Sequence, residues 1–269
     1  MNQVTCAVPV HVPRPDGPWH RVREDLAELG NAVAYTTRTE WLPNVLTTAR
    51  LRELLGTDWD RYRRTPDPAV RYRFAAARLL VKYTAGAALG TDPEHLDLSY
   101  RLGGRPYLRG FDQIELSLSH TGDLMAVGLS RTGRIGVDVE PSDRTVRLDL
   151  LKEQILTATE AAELAELPEA RRVPHAVRLW TLKEAYTKAL GQGLRLGFKE
   201  FGFGRDLELH APDGSAATHG EWGFATHEVL GRYLVSIACH DAGLCTADDT
   251  SAGTMLDQGF LSAMRTNGG

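Results

Sequence analysis

Cysteine is scarce in this 269-residue chain: Cys6, Cys239 and Cys245 are the only three, and they form no close-spaced ligand pattern. Three thiols cannot staple a chain of this length, which points to a reducing compartment. No apolar run reaches the roughly 18 residues that a membrane span needs. The opening MNQVTCAVPVHVPRPDGPWH has no basic segment followed by an apolar one, as a secretory leader would. A cytoplasmic protein with no membrane partner is therefore expected. Lysine is almost absent as well: Lys82, Lys152, Lys183, Lys188 and Lys199 are the five, and the other basic residues are arginine. Also missing are a Walker P-loop, a strand-anchored Gly-x-Gly-x-x-Gly, His-Glu-x-x-His and Cys-x-x-Cys. These absences remove the common nucleotide hydrolases, dinucleotide enzymes and zinc hydrolases. No internal repeat or low-complexity tract stands out.

What is present suits a packed protein. Hydrophobic residues make up 42% of the chain, and the net charge is -4. That balance argues against a nucleic-acid binder working through overall basicity. Helices are predicted near RVREDLAELG closed by Gly30, over Thr47–Leu55, and over Asp67–Leu89 with Gly90 as the stop. LDLSYRLGGRPYL reads as strand, Gly-Gly turn and strand. IELSLSHTGDLMAVGLS reads as two strands around Thr-Gly-Asp, and RIGVDVEP as a buried strand ending at Pro141. Residues 149–167 read as helical, in one or two pieces, and residues 174–190 form the clearest helix, with a proline near its start and Gly191 at its end. A β-rich stretch to about 240 follows, including YLVSIACH, and residues 241–269 read as a loosely held tail. Two rounds of helices and strands give an α+β chain of two halves joined near 131–136.

Five clusters could carry chemistry. In Gly136-Val-Asp138-Val-Glu140, strand alternation puts both carboxylates on one face, about 7 Å apart. Such a pair suits a hard cation such as Mg2+, and it equally describes a solvated surface strand. In the helix from Trp180 to Leu194, Trp180, Glu184 and Lys188 fall at i, i+4 and i+8 on one stripe. A Glu followed four residues later by a Lys is also the commonest stabilising pair on helix surfaces. Ser117-Leu-Ser119-His120-Thr121-Gly122 exposes hydroxyls and an imidazole at a turn, a set suited to phosphate or to plain structure. No Gly-x-Ser-x-Gly elbow surrounds either serine, so nothing favours a serine hydrolase. Gly103-Gly104-Arg105-Pro106 is a turn whose backbone could press on a planar ring while Arg105 meets a phosphate. Finally, Arg61, Arg63, Arg64, Arg71, Arg73, Arg78 and Lys82 face one acid, Asp67, a local basic patch on an acidic protein.

In order and spacing, Gly-Arg-Pro, Ser-x-Ser-His-Thr, Gly-Val-Asp-Val-Glu and Trp-x-x-Lys-Glu-Ala-x-x-Lys-x-x-Gly-x-Gly-Leu resemble the 4'-phosphopantetheinyl transferase superfamily. The length and the early basic region resemble its two-subdomain, surfactin-synthetase-activating (Sfp) type. The resemblance implies a monomer of two similar α+β subdomains related by a pseudo-twofold axis, with coenzyme A in the cleft between them. Residues 1–133 would form the coenzyme A side and 134–240 the metal side. Asp138, Glu140 and Glu184 would hold Mg2+ (or Mn2+), and Lys188 would contact phosphates. Ser119 and His120 would meet phosphate groups, and the backbone around Gly104, Arg105 and Pro106 would cradle adenine. Arg61 stands where the family carries a basic residue for the 3'-phosphate, with Arg64 or Arg73 as substitutes. Thr121 replaces the serine usual after the histidine and keeps the hydroxyl.

The implied reaction is attack by a carrier-protein serine on the β-phosphorus of coenzyme A, with 3',5'-ADP leaving. Phosphoryl transfer asks mainly for positioning and charge neutralisation. Asp138, Glu184 and Lys188 would be the catalytic set, with Glu184, or a water on the metal near it, as base. The partners implied are acidic acyl or peptidyl carrier proteins, docking by family analogy near 145–175 on Arg171, Arg172 and the apolar face of LLKEQIL. Two other readings are a coenzyme A or nucleotide-binding module without turnover and a nucleic-acid binder using residues 61–82. The first has no reason to keep Asp138, Glu140, Glu184 and Lys188 together. The second lacks aromatic platforms and overall positive charge.

Overall fold

A computed structural model describes residues 4–101, 104–192, 195–218 and 220–243. The predicted tail from 244 on, Cys245, Gly103, Gly193 and Leu194 lie outside the described residues. In chain order the first half holds β1 (Val10–His11), α1 (His20–Leu29), β2 (Asn31–Thr37), α2 (Arg38–Thr47), α3 (Leu51–Leu55), α4 (Trp59–Arg64) and α5 (Pro68–Leu89). It continues with β3 (Leu98–Tyr100), β4 (Pro106–Leu108), β5 (Glu115–Thr121) and β6 (Leu124–Ser130). The second half holds β7 (Ile135–Pro141), α6 (Leu148–Gln154), α7 (Ala158–Glu166) and α8 (Glu169–Leu190). It ends with β8 (Gly202–Phe203), β9 (Leu209–His210), β10 (Trp222–Val229) and β11 (Tyr233–His240).

Two sheets organise these elements. The first has the order β1-β2-β6-β5, with β1 parallel to β2 and the other pairs antiparallel. The second is β10-β11-β7, antiparallel throughout. Alternation along each strand divides the core. On β6, Met125, Val127 and Leu129 point into a cluster with Leu79 and Leu80 of α5, whereas Leu124 and Ala126 point the other way. Those two meet Ile135, Val137 and Val139 of β7 and Val235 and Ile237 of β11, so the two sheets pack face to face. The far side of β7 and β11 packs against α8. The layer order is helices, sheet, sheet, helix, which is an α+β architecture.

Local chemistry explains where the elements start and stop. Asp67 caps α5 by accepting from the N–H groups of Ala69 and Val70, Pro68 sits at its first position, and Gly90 ends it in the left-handed region. Thr37 with Glu40, and Thr157 with Glu160, form reciprocal capping boxes on α2 and α7. The helix expected from residue 174 begins at Glu169 instead, after Pro168. Pro174 lies within it on an exposed side, where its ring meets solvent and not a packed neighbour. The helix expected over Thr47–Leu55 is broken at 48–50 into α2 and α3.

Candidate active site

Asp138 and Glu140 share the face of β7 that looks toward α8. Their strand comes unusually close to that helix at Gly136. A Cβ there would lie 1.9 Å from the Ala185 carbonyl oxygen and 2.6 Å from the Ala189 nitrogen. Only a residue without a side chain allows this approach, which is why glycine opens the motif. Two residues on, Asp138 meets α8 at Lys188. Its Oδ1 accepts from Lys188 Nζ at 2.6 Å and from Ser119 Oγ at 2.9 Å. Lys188 Nζ also donates to Ser119 Oγ at 2.9 Å and to the Val137 carbonyl at 3.3 Å. Three separate elements, β5, β7 and α8, thus converge on one buried carboxylate. Asp138 Oδ2 is buried and has no hydrogen-bond partner among the described residues.

β7 is an edge strand, so its outward backbone groups need other partners. Ser117 Oγ accepts from the Val137 N–H at 2.9 Å, and Lys188 supplies the Val137 carbonyl. Ser117 is therefore a structural member of the junction, and Ser119 is the serine that meets Asp138 and Lys188.

The other two acids join the cluster electrostatically. Burial raises the Glu140 pKa, and the Asp138 charge raises it further against the pull of Arg144 and Lys188. Glu184 is raised by burial, then by Asp138, with a smaller push from Glu140; Lys188 and a hydrogen bond from Trp180 oppose this. Each carboxylate is engaged by a neighbour: Asp138 by Lys188, Glu184 by Trp180, and Glu140 by an ion pair with Arg144. Among the described residues, no three acids, histidines or cysteines stand close enough to enclose an ion as they are. The donor set itself fits a hard divalent cation: three carboxylates, of which Glu140 and Glu184 are destabilised as anions by burial and the Asp138 charge, and Asp138 has a buried oxygen with no hydrogen-bond partner among the described residues.

The nucleotide-side residues sort differently from expectation. His120 follows Ser119 on β5, and its pKa is lowered by burial first, then by the charges of Arg73, Lys188 and Arg78. Of these charges, Arg73 acts on His120 most strongly. Arg61 instead lies over the Phe74 ring, 4.8 Å from its centroid, and Arg63 and Arg64 both pair with Asp60. Arg78 is held by Asp58 at 3.0 Å, which also accepts from the Tyr100 hydroxyl at 2.8 Å. Lys82 is buried in the core at 3% exposure, so the basic patch is smaller than its sequence count.

The Arg105 guanidinium, expected to meet a phosphate, is committed to the protein. It donates to the carbonyls of Leu116 (3.4 Å), Ile135 (3.2 Å) and Ala189 (2.9 Å), and pairs with Glu115 at 2.6 Å. A planar fork is the one side chain that can join β5, β7 and the end of α8 at once. Pro106 is buried at the start of β4. Arg172 is committed too: it donates to the carbonyls of Ala165 and Leu167, closing the end of α7. Leu150 on α6 is exposed, whereas Leu151 and Ile155 are core residues. Arg144 had no place in the sequence reading. Its only signal is its position four residues after Glu140.

An α+β protein with carboxylates on a strand, a lysine on the facing helix and a Ser-His pair on the neighbouring sheet defines the class. Residues 134–238 match the model of the 4'-phosphopantetheinyl transferase superfamily. The chain is 33% identical over 130 residues to the 4'-phosphopantetheinyl transferase HetI of Nostoc sp., covering 47% of this chain and 55% of that protein. It is 27% identical over 214 residues to a phosphopantetheinyl transferase of Thraustochytrium sp., covering 74% of each. Identity to a 4'-phosphopantetheinyl transferase of Bacillus subtilis is 22% over 178 residues, 65% of this chain and 76% of that one. The match thus spans little more than half of the first relative and about three quarters of the other two.

Proposed function

We propose that this protein is an Sfp-type, Mg2+-dependent 4'-phosphopantetheinyl transferase. It moves the phosphopantetheine arm of coenzyme A onto a serine of an acyl or peptidyl carrier protein and releases 3',5'-ADP. The observation that carries this reading is the junction of Asp138, Lys188 and Ser119, which brings both sheets and α8 to one point. The pseudo-twofold relation of the halves, the division at 133/134 and a monomeric state belong to the same proposal. The helix, sheet, sheet, helix layering supports the division.

Asp138, Glu140 and Glu184 would hold Mg2+, with Mn2+ as a substitute of the same oxygen-seeking character. When bound, the ion supplies Lewis-acid neutralisation of phosphate charge. The chain's own residues do the rest. Lys188 places an ammonium where charge grows on the leaving group. Ser119 and His120 offer a hydroxyl and an imidazole to phosphate oxygens, and the backbone at Gly104, Arg105 and Pro106 faces adenine. Arg73, whose charge is felt at His120, is a better candidate for the 3'-phosphate than Arg61, which is turned onto Phe74. Glu184 is the base that would take the serine proton. Leu150 and Arg171 remain on the surface proposed for carrier docking.

The test is the intact mass of an apo carrier protein after incubation with this protein, coenzyme A and Mg2+. A gain of one phosphopantetheine, absent with EDTA and with Asp138→Ala, is expected. No gain on any acyl, peptidyl or aryl carrier protein, despite coenzyme A binding, would replace the proposal with a binding module that does not turn over. Glu184→Gln that keeps coenzyme A affinity but loses turnover supports the base role; unchanged turnover removes it.

A further inference from the structure

Arg144 sits in the turn just after β7, its N–H bonded to the Pro141 carbonyl at 3.2 Å. Its guanidinium pairs with Glu140, and its Cζ lies 4.2 Å from the centroid of the Trp180 ring. Trp180 lies one helical turn before Glu184 and lowers its pKa against the effect of burial. The guanidinium is thus gripped from two sides, by a carboxylate that belongs to the acidic cluster and by an indole face that does not. A guanidinium stacked on an indole keeps a favourable contact even when its carboxylate is taken away. Glu140 is half-buried at this site, so guanidinium and metal ion compete for its oxygens at short range, where opposing charges are weakly screened.

We propose that Arg144 is a resident counter-cation of Glu140 that a divalent cation must displace, with the Trp180 face retaining the arginine afterwards. The inference rests on the metal-binding role proposed above for Glu140. It makes Arg144 a positioning residue that sets the affinity of the site for its ion. Loading becomes an exchange of one cation for another, so the carboxylates never stand together as bare anions.

The test needs no turnover. Mn2+ binding to the purified full chain is measured by the electron paramagnetic resonance of free Mn2+, for wild type, Arg144→Met, Arg144→Gln and Arg144→Lys. Both neutral variants should bind Mn2+ about tenfold more tightly or better, from the loss of one nearby positive charge. Arg144→Lys should stay near wild type. Mg2+ should also change the tryptophan emission of wild type, a change that Trp180→Phe removes and Arg144→Met attenuates. Equal or weaker Mn2+ binding by Arg144→Met and Arg144→Gln, in folded protein, overturns the proposal and leaves the metal site intact. No Mn2+ binding by wild type, with or without coenzyme A, removes the metal reading itself and this inference with it.

Discussion

Lys183 offers the most direct test of how the catalytic helix is held. It lies in the same motif as Glu184 and Lys188 but points the other way, and its side chain is fully buried. Its Nζ donates to the carbonyls of Ile155 (2.9 Å), Phe198 (2.7 Å) and Phe201 (2.8 Å) and pairs with Glu160 at 2.7 Å. One ammonium therefore closes the end of α6, the loop before β8 and the first turn of α7 against α8. Glu160 is 2% exposed and also accepts from the N–H groups of Thr157 and Phe203. Lys183→Met has nearly the same shape but leaves that carboxylate without its counter-charge and three carbonyls without a donor. Removing one partner of a buried pair costs about 3–5 kcal/mol. At the entropy of a chain this size, that lowers the melting temperature by roughly 10 °C. The double variant Lys183→Met/Glu160→Gln removes the stranded charge while keeping an acceptor for the capping N–H groups. It should recover at least about 1 kcal/mol of the loss. Urea unfolding followed by circular dichroism reads both numbers. If Lys183→Met lies within about 1 kcal/mol of wild type, the ammonium is not the clasp described here. If Glu160→Gln deepens the loss instead of offsetting it, the stranded charge is not its source.

Other outcomes are expected from the same geometry. Gly136→Ala drives a methyl into the backbone of α8 at Ala185; it should cost about 1–3 kcal/mol or more and abolish transfer, and a variant that keeps both stability and rate refutes the close approach. His120 has its pKa depressed below 6.5 by burial and by Arg73. The unfolded chain therefore binds its proton first as pH falls, so stability drops below pH 6.5 down to the folded pKa, and His120→Gln should flatten that slope. By NMR, 3',5'-ADP should raise the His120 pKa, because a nearby anion favours imidazolium; a free-protein value at or above 6.5 contradicts the arrangement. Arg105→Lys keeps the charge but not the fork. It should speed hydrogen exchange near Ala189 and Gly191 while weakening coenzyme A binding less than Arg73→Ala does; the reverse order would return Arg105 to the ligand.

Much of the fold was legible because its boundaries carry local chemistry. The ends of α5 follow from Asp67, Pro68 and Gly90, and the turn between β5 and β6 from Thr-Gly-Asp. α8 was read five residues short because Pro174 resembles a first-turn proline, whereas the helix tolerates it on a solvent face. Lys188 with Asp138 could be paired through the family pattern, although nothing in either segment alone says that they touch. The partners of Arg105 could not be read for a physical reason. Most are backbone carbonyls, up to 84 residues away, and a backbone carbonyl leaves no mark in the sequence. The carbonyl that Arg172 meets and the ring face under Arg61 are hidden from the sequence in the same way. The count of arginines between 61 and 82 therefore overstated the charge free for a ligand. The electrostatic pull on His120 singles out Arg73 where the count could not.

The spacing of the site follows from one contact between strand and helix. Gly136 touches α8 between Ala185 and Ala189, and Lys188 stands one residue before the second of these. Two residues along a strand advance about 6.6 Å, so Asp138 is carried away from that touching point on the same face of β7. A lysine side chain is long enough to follow it, and does, at 2.6 Å. Glu184, one turn earlier on α8, shares the Lys188 stripe and so faces the same carboxylates, as its raised pKa registers. Arg105 then fixes the far end, binding Ala189 of the helix and Ile135 of the strand on either side of the Gly136 contact. A glycine, two alanines and one fork thus determine where three charged side chains meet, and none of the four carries out the chemistry. This separates two kinds of loss. Glu184→Gln should remove turnover from a molecule that still melts as wild type does, to within about 1 kcal/mol, whereas changes at Asp138 or Lys188 break a largely buried pair and cost stability as well. Changes at Gly136 or Arg105 should lower stability and turnover together, because they move the frame that both depend on.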